Sequence, residues 1–300
     1  MMWGNSHPAL DWIRNCKVYL TTELTQARLE EAAHYLIQER PTLFVGLPSA
    51  AARLARFVGA AYPDVPRPVV PFVKLGGEQI YPFERDEVER HLGAKVVEFY
   101  GSTAMGAIAA QCPERSRHVF AEHVHLEIHR DGNPVPPGEF GDIVVTSLDN
   151  RAMPLVRCRI GDRGRMSPDP CRCGRPHPVL AELVGRAAEL FLAADGSLVH
   201  GSVLGQGLQS FLSTAQPGAI GQVLFQQMDD KSWKVLVESQ NRLDGGLSAG
   251  LCEVVRTALG RECRVEVERV AVIPREASGK FRYYRSATNP VGRRLQGGKL

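Results

Sequence analysis

Apolar positions recur with different periods in different parts of this chain. Between Leu24 and Arg40 they fall at Leu29, Ala32, Ala33 and Leu36, steps of three and four that predict an amphipathic helix. Phe44-Val45-Gly46 follows as a short strand. Ser49 has the chemistry of an N-cap for an alanine-rich helix ending near Tyr62-Pro63. Val69 to Leu75 is a continuous apolar run, which suits a buried strand. Glu84 to His91 reads as a charged helix closed by Gly93, and Lys95 to Tyr100 as the next strand. Strand, helix, strand in this rhythm predicts an α/β unit with parallel strands.

The middle of the chain changes period. Val119 to His129 alternates strictly, and Asp131-Gly132-Asn133-Pro134 makes a turn before a strand from Asp142 to Thr146. Leu155 to Ile160 supplies another strand, so residues 112–185 are expected to form an antiparallel β subdomain. Gly185 marks the expected domain boundary. Beyond it, strands Val223–Met228 and Trp233–Glu238 flank a hairpin turn at Asp229-Asp230-Lys231. A helix from Leu247 to Leu259 and a strand from Val265 to Val270 complete a small α+β unit. The expected organisation is a main domain over 1–185, with its α/β unit at 24–111, a second domain over 186–288, and a disordered tail over 289–300.

Three hundred residues suit one larger and one smaller domain. The formal net charge is +3 and the cations are dispersed outside the C-terminal tail, which argues against a nucleic-acid partner. No apolar run approaches the ~20 residues of a membrane helix. Asp11, Arg14 and Lys17 interrupt the start of the chain, which lacks the apolar core of a signal peptide. Seven cysteines are an odd number with one close pair, so a disulfide framework is not expected and a reducing cytoplasm is.

Candidate chemistry falls in a few places. Cys171 and Cys173 are separated by one residue, a spacing that lets two thiolates converge on one metal. Cys112 and His118 bracket a loop between an expected helix and a strand. Together they make a Cys₃His set of the closed structural zinc type; the alternative is two free thiols in a Pro/Gly-rich loop and an unrelated Cys112. His123, His125, Glu127 and His129 share one strand face, for which a polar face is the commoner explanation than a metal. Tyr100-Gly101-Ser102-Thr103 ends a strand where α/β sheets place ligands, though alone it describes an ordinary strand-to-turn transition. Asp162, after a strand and a glycine, suits acceptance of two ribose hydroxyls, and Gly161-Asp162-Arg163-Gly164 is equally a good turn sequence. Ser278-Gly279-Lys280-Phe281-Arg282 is a glycine-hinged loop presenting a lysine.

Four segments in this order resemble the adenylate-forming superfamily: Phe99-Tyr100-Gly101-Ser102-Thr103, Pro154-Leu155-Val156-Arg157 running into Ile160-Gly161-Asp162, Gly185-Arg186, and the Lys280 loop. Gly76-Gly77-Glu78 and Cys171-Arg172-Cys173-Gly174-Arg175 point to its phenylacetate-CoA ligase-like branch. The resemblance runs from about Leu24 to Ser286. It implies part of the family's α/β main domain followed by a small α+β C-terminal lid. The implied reaction joins a carboxylic acid, aromatic or otherwise, to ATP as an acyl-AMP, and then to the thiol of CoA or of a carrier protein. Tyr100 would pack on adenine, Thr103 would contact the α-phosphate and Asp162 would hold the ribose. Glu78, Gly101, Ser102 and Arg186 would complete the nucleotide site, with Lys280 stabilising charge on the α-phosphate. Similar Cys and His positions in related ligases support zinc.

The sequence also departs from that pattern. Ala104 stands where the family places a glutamate for Mg²⁺, and alanine offers a hard cation no oxygen. Ala188 occupies the position of the usual hinge acid, beside Glu189. The Ser/Thr/Gly-rich phosphate loop that opens a family member has no counterpart in these residues. The expectation is therefore a truncated or split ligase, with a second polypeptide supplying the loop. The alternative is a degenerate nucleotide-binding or assembly subunit without catalysis.

Overall fold

A computed structural model describes residues 2–3, 15–19, 24–186, 190–214, 220–228, 232–239, 242–276 and 278–286. Contacts divide the chain into two compact units, Met1–Ile80 with Glu84–Arg186, and Tyr81–Phe83 with Ala187–Leu300.

Five strands and three helices open the chain: β1 (Met2–Trp3), β2 (Val18–Tyr19), α1 (Gln26–Glu39), β3 (Leu43–Gly46), α2 (Pro48–Ala61), β4 (Phe72–Gly76), α3 (Pro82–Leu92) and β5 (Lys95–Ser102). Strands β6 (Gly106–Gln111), β7 (Arg117–Val119), β8 (Val124–Arg130), β9 (Asn133–Pro134), β10 (Gly141–Ser147), β11 (Cys158–Met166) and β12 (Val179–Arg186) follow. Among the described residues they form one sheet, in the order β2-β1-β3-β4-β5-β6-β7-β12-β11-β10-β8-β9. The pairings from β2 to β5 are parallel and those from β5 onward antiparallel, so the two expected parts share a continuous sheet.

Helix α1 starts at Thr25, whose side chain accepts from Arg28 N–H, and it buries Leu29, Ala32, Ala33 and Leu36 as the periodicity requires. These residues pack with Leu54 and Val58 of α2 and with Val88 and Leu92 of α3. The strand side chains in that core are Phe44, Val73, Leu75 and Val96, and the register sets Phe44, Val73 and Val96 in one row. A second core, under the antiparallel strands, contains Ile108, Val119, Ile128, Ile143, Val145 and Leu180.

Several sequence expectations are corrected. Ser49 is not the N-cap of α2; Leu47 holds that position and Ser49 lies buried in the first turn. The run from Val69 becomes strand only at Phe72, because Pro68 and Pro71 have no N–H to give a ladder. That strand is buried on one face only, with Phe72 45% exposed. The segment before Cys112 is β6 rather than a helix; six residues are too few to nucleate one, and β5 offers a partner strand. Val119–His129 is broken by a turn, giving β7 and β8. Leu155–Arg157 precede the strand, which runs on from Cys158 through Asp162.

The second unit contains β13 (Leu190–Leu192), β14 (Leu198–His200), α4 (Ser202–Thr214), β15 (Val223–Gln227), β16 (Trp233–Glu238), α5 (Gly245–Leu259), β17 (Val265–Val270) and β18 (Tyr284–Ser286). Its four-stranded sheet has the order β17-β16-β15-β18. Trp233, Phe225, Phe191, Leu251 and Val255 fill its core. Asp244 caps α5 by accepting from Leu247 N–H at 2.6 Å. The turn at Asp229-Asp230-Lys231, the residues Ala188 and Glu189, and the tail over 289–300 lie outside the described residues.

Candidate functional site

Two of the nucleotide candidates, Tyr100 and Asp162, meet in the sheet of the first unit. Tyr100 sits near the end of β5, and its hydroxyl donates to Asp162 Oδ2 at 2.8 Å. Burial, reinforced by the Asp162 charge and this hydrogen bond, pushes the Tyr100 phenol well above its usual range. It therefore stays a neutral donor. Asp162 faces it from a register shift in β11, just after Gly161 at φ +87°. A bulge at that point re-aims the side chain. Gly101 allows the β5–β6 hairpin to close, since a Cβ there would lie 2.5 Å from Gly106 O. Ser102 Oγ accepts from Met105 N–H at 3.1 Å, and Thr103 is exposed beyond it.

Glu78 follows β4 and turns to the start of α2, where its Oε2 accepts from Ser49 N–H at 3.1 Å. A carboxylate there satisfies one orphan donor and complements the helix dipole. Arg186 pairs through its backbone with Asp162. Arg157 is engaged elsewhere, with Nε and Nη2 at 3.1 and 2.9 Å from the Glu127 carboxylate. Burial would raise the Glu127 pKa, but Arg157 and His129 outweigh it and hold the group below its ordinary value. The histidine row is thus part of a hydrogen-bonded polar face, with His123 Nδ1 2.5 Å from Asp149 Oδ2 and His129 Nε2 3.4 Å from Glu127 Oε1. Lys280 belongs to the second unit, in a turn where Gly279 has φ +79° and Lys280 O accepts from Glu276 N–H at 3.0 Å.

The second cluster lies where the loop after β6 meets the loop after β11. Ligand atoms of Cys112, His118, Cys171 and Cys173 all lie within 4.8 Å of one another. Cys112 Sγ is 3.7 Å from Cys171 Sγ, and Cys173 Sγ is 3.3 Å from His118 Nε2. A tetrahedron with metal–sulfur bonds of about 2.3 Å has edges of about 3.8 Å, so the spacing and the donor chemistry fit a four-coordinate metal. His118 Nδ1 contacts His177 O at 3.2 Å, the outer contact that leaves Nε2 facing the thiols. A hydrogen bond from Ser116, then the Cys173 N–H, draws the Cys171 thiol down to about 6.

Sequence reasoning missed the neighbouring charge network. Glu98 is buried between Arg85 of α3, at 2.8 Å, and Arg117 of β7, at 2.6 Å. Arg85 also donates to Gln111 at 2.6 Å. The signal was a carboxylate at the same inward parity as Val96 on β5; such a residue is buried only with partners.

No protein-family model matches the chain. Among solved structures, a 2-hydroxyisobutyryl-CoA ligase in complex with 2-HIB-AMP aligns with a TM-score of 0.75 and 21% identity, over 97% of this chain and 64% of that one. The anthranilate CoA ligase AuaEII with anthranoyl-AMP aligns at 0.60 and 15%, over 84% and 50%. The fold is that of the adenylate-forming enzymes. Within that class, the chain's sequence relatives are phenylacetate-coenzyme A ligases. The ligase of Thermus thermophilus is 30% identical over 164 residues, 52% of this chain and 37% of that protein. That of Escherichia coli is 35% identical over 97 residues, 30% of this chain and 22% of that one. The chain thus spans well under half the length of these curated relatives. No described helix is long and apolar enough to cross a membrane.

Proposed function

We propose that this chain carries the adenylate-handling part of an acid–CoA ligase. The reaction has two halves: a carboxylate attacks the α-phosphorus of ATP and pyrophosphate leaves, then a thiol attacks the acyl carbon and AMP leaves. The observation that carries this reading is the Tyr100–Asp162 pair at the end of β5, beside Gly101, Ser102 and Thr103. Asp162, held by Tyr100 in one orientation, is the acceptor for the ribose hydroxyls. Thr103 supplies a hydroxyl to the α-phosphate. Lys280, delivered by the second unit as a lid, neutralises charge that grows there during both halves. Glu78 acts by fixing the start of α2. Arg186 is assigned to the same nucleotide site.

The acid is a small carboxylate, aromatic by analogy with the phenylacetate relatives, and CoA is the favoured acceptor. Zinc is the metal assigned to Cys112, His118, Cys171 and Cys173, as a closed structural site without a step in catalysis. The position of Ala104 gives Mg²⁺ no ligand, and the triphosphate cradle is assigned to further polypeptide of the ligase type. AMP, which needs no such cradle, should bind at least as tightly as Mg-ATP. Calorimetry tests this: AMP binding that is lost in Asp162→Ala is expected, whereas no heat at millimolar AMP, or clearly tighter Mg-ATP binding, would overturn it. Lys280→Ala should leave AMP binding intact and remove acid-dependent pyrophosphate exchange wherever the assembled ligase shows it.

A further inference from the structure

The hairpin β6–β7 carries two of the four candidate metal ligands. Gln111 and Arg117 are its last paired residues, and the loop over residues 112–116 hangs from that pair. The loop closes on itself: Cys112 N–H donates to Ser116 O and Arg115 N–H to Cys112 O, both at 2.9 Å, with Arg115 at φ +58°. His118 follows on β7, opposite Ala110. Alternation along β7 turns Arg117 to one face of the sheet and His118 to the other. Whatever fixes Gln111 and Arg117 on the first face therefore also fixes how Cys112 and His118 are presented.

A buried network grips that root. Phe99 pairs with Ala110, so Glu98 comes level with Gln111 and Arg117 in one row. Glu98 Oε2 accepts from Arg117 Nη2 at 2.6 Å and Nε at 3.1 Å, and its Oε1 accepts from Arg85 Nη2 at 2.8 Å. Arg85 Nη2 also donates to Gln111 Oε1 at 2.6 Å, and Gln111 Nε2 reaches into the loop to Arg115 O at 3.1 Å. One turn along α3, Glu89 accepts from Arg85 at 3.1 Å and faces Arg115 at 3.5 Å. Arg85 and Glu98 are 5% and 9% exposed. Two arginines around one buried carboxylate are a poor source of stability, because desolvation can match the attraction. What a satisfied network supplies is a fixed geometry.

We infer that Glu98, acting with Arg85 and Gln111, is a positioning residue for the metal: it fixes the root of the β6–β7 hairpin so that Cys112 and His118 hold their donor atoms in binding geometry. The inference rests on the assignment of a metal to Cys112, His118, Cys171 and Cys173. Binding is weakened by whatever ordering the ligands require, so a hairpin held at its root binds more tightly than a loose one. The hydrogen bonds of Glu98, Arg85 and Gln111 go to one another, to Arg117, to Glu89 and to backbone carbonyls, not to a ligand atom of the four. The network thus changes how tightly a metal is held without changing what holds it.

The test measures zinc affinity of the full chain in reducing buffer, by competition with a chromophoric chelator, and the visible spectrum of the cobalt-loaded chain. Glu98→Gln and Gln111→Ala should each weaken zinc at least about tenfold, the scale of outer-shell changes. Their double variant should fall short of the product of the two effects, because both act through Arg85. Cobalt bands should keep their wild-type positions in both variants, whereas Cys171→Ser, which alters the ligand set, should shift them. Asp244→Ala removes the cap of α5 in the second unit; it should lower the melting temperature and leave zinc affinity within about twofold, which separates positioning from a general loss of stability. Gln111 is only half-buried, so Gln111→Ala decides the matter if Glu98→Gln does not fold. Zinc affinity within about twofold of wild type in the folded variants, or fully multiplicative effects in the double variant, would overturn the inference. A wild-type chain that takes up neither zinc nor cobalt would overturn the metal assignment itself. Wild-type uptake with unmoved variants sinks only the role of Glu98.

Discussion

Tyr100 and Asp162 meet at 2.8 Å although β6, β7 and β12 separate their strands in the sheet order. The sheet must curl for that contact to form, and the bond fixes how far it does. Tyr100→Phe keeps the ring and removes the donor. It should lower stability by about 1 kcal/mol in denaturant titrations, with AMP affinity held within about threefold. Asp162→Ala should instead weaken AMP at least about tenfold, roughly 1.4 kcal/mol.

The same bond sets a pH dependence. The Tyr100 phenol is raised above the ordinary value of 10.0, first by burial and then by Asp162. Its contribution is complete below that value, where the folded and unfolded tyrosines are both protonated. As pH rises further the unfolded phenol ionises first, so stability falls with alkalinity until the folded phenol titrates. Urea unfolding from pH 9 to 11 should show this slope, and Tyr100→Phe should reduce it.

The four side chains proposed as metal ligands make a chelation prediction. One zinc per chain is expected by elemental analysis, and EDTA should lower the melting temperature by several degrees or more, because metal binding is coupled to folding. Cys171→Ser and Cys112→Ser should lose the zinc and the chelator sensitivity together. A chain that folds identically with and without zinc would contradict the assignment.

Glu78 supports the start of α2 through Ser49 N–H. Glu78→Ala removes both an acceptor and a charge, and should cost about 1–2 kcal/mol. Glu78→Gln keeps an oxygen acceptor and should cost roughly half as much. Thermal unfolding of both variants checks the order.

Local pattern revealed much of this architecture. The α1 stripe, the Asp131-Gly132 turn with both φ values positive, and the pair β15–β16 were all legible from period and turn chemistry. The missed features depend on partners distant in sequence. Residues 106–111 became a strand because β5 was available, and Ser49 lies inside the first turn of α2, behind Leu47 at the cap, where its N–H donates to a carboxylate 29 residues away. Cys112 and Cys171 suggested a metal by residue type, but their 3.7 Å approach across 59 residues is a tertiary result. The exposed face of β4 was hidden for the opposite reason. A continuous apolar run signals burial on both sides, and only the topology shows that every described helix over β3, β4 and β5 went to one.

The join between β7 and β12 consists of two residue pairs, His118 with Val179 and Arg117 with Leu180. It is the hinge-pin of the long sheet, linking everything from β2 to β7 with everything from β12 to β9. The loops that carry the candidate metal ligands close over this short joint: His118 stands within it, and Cys171 and Cys173 precede β12. A clasp at that point means that oxidising or stripping the thiols would not erode the sheet evenly. It would part along one line, exposing backbone amides near residues 117–119 and 179–180 to exchange before those of β4 or β10.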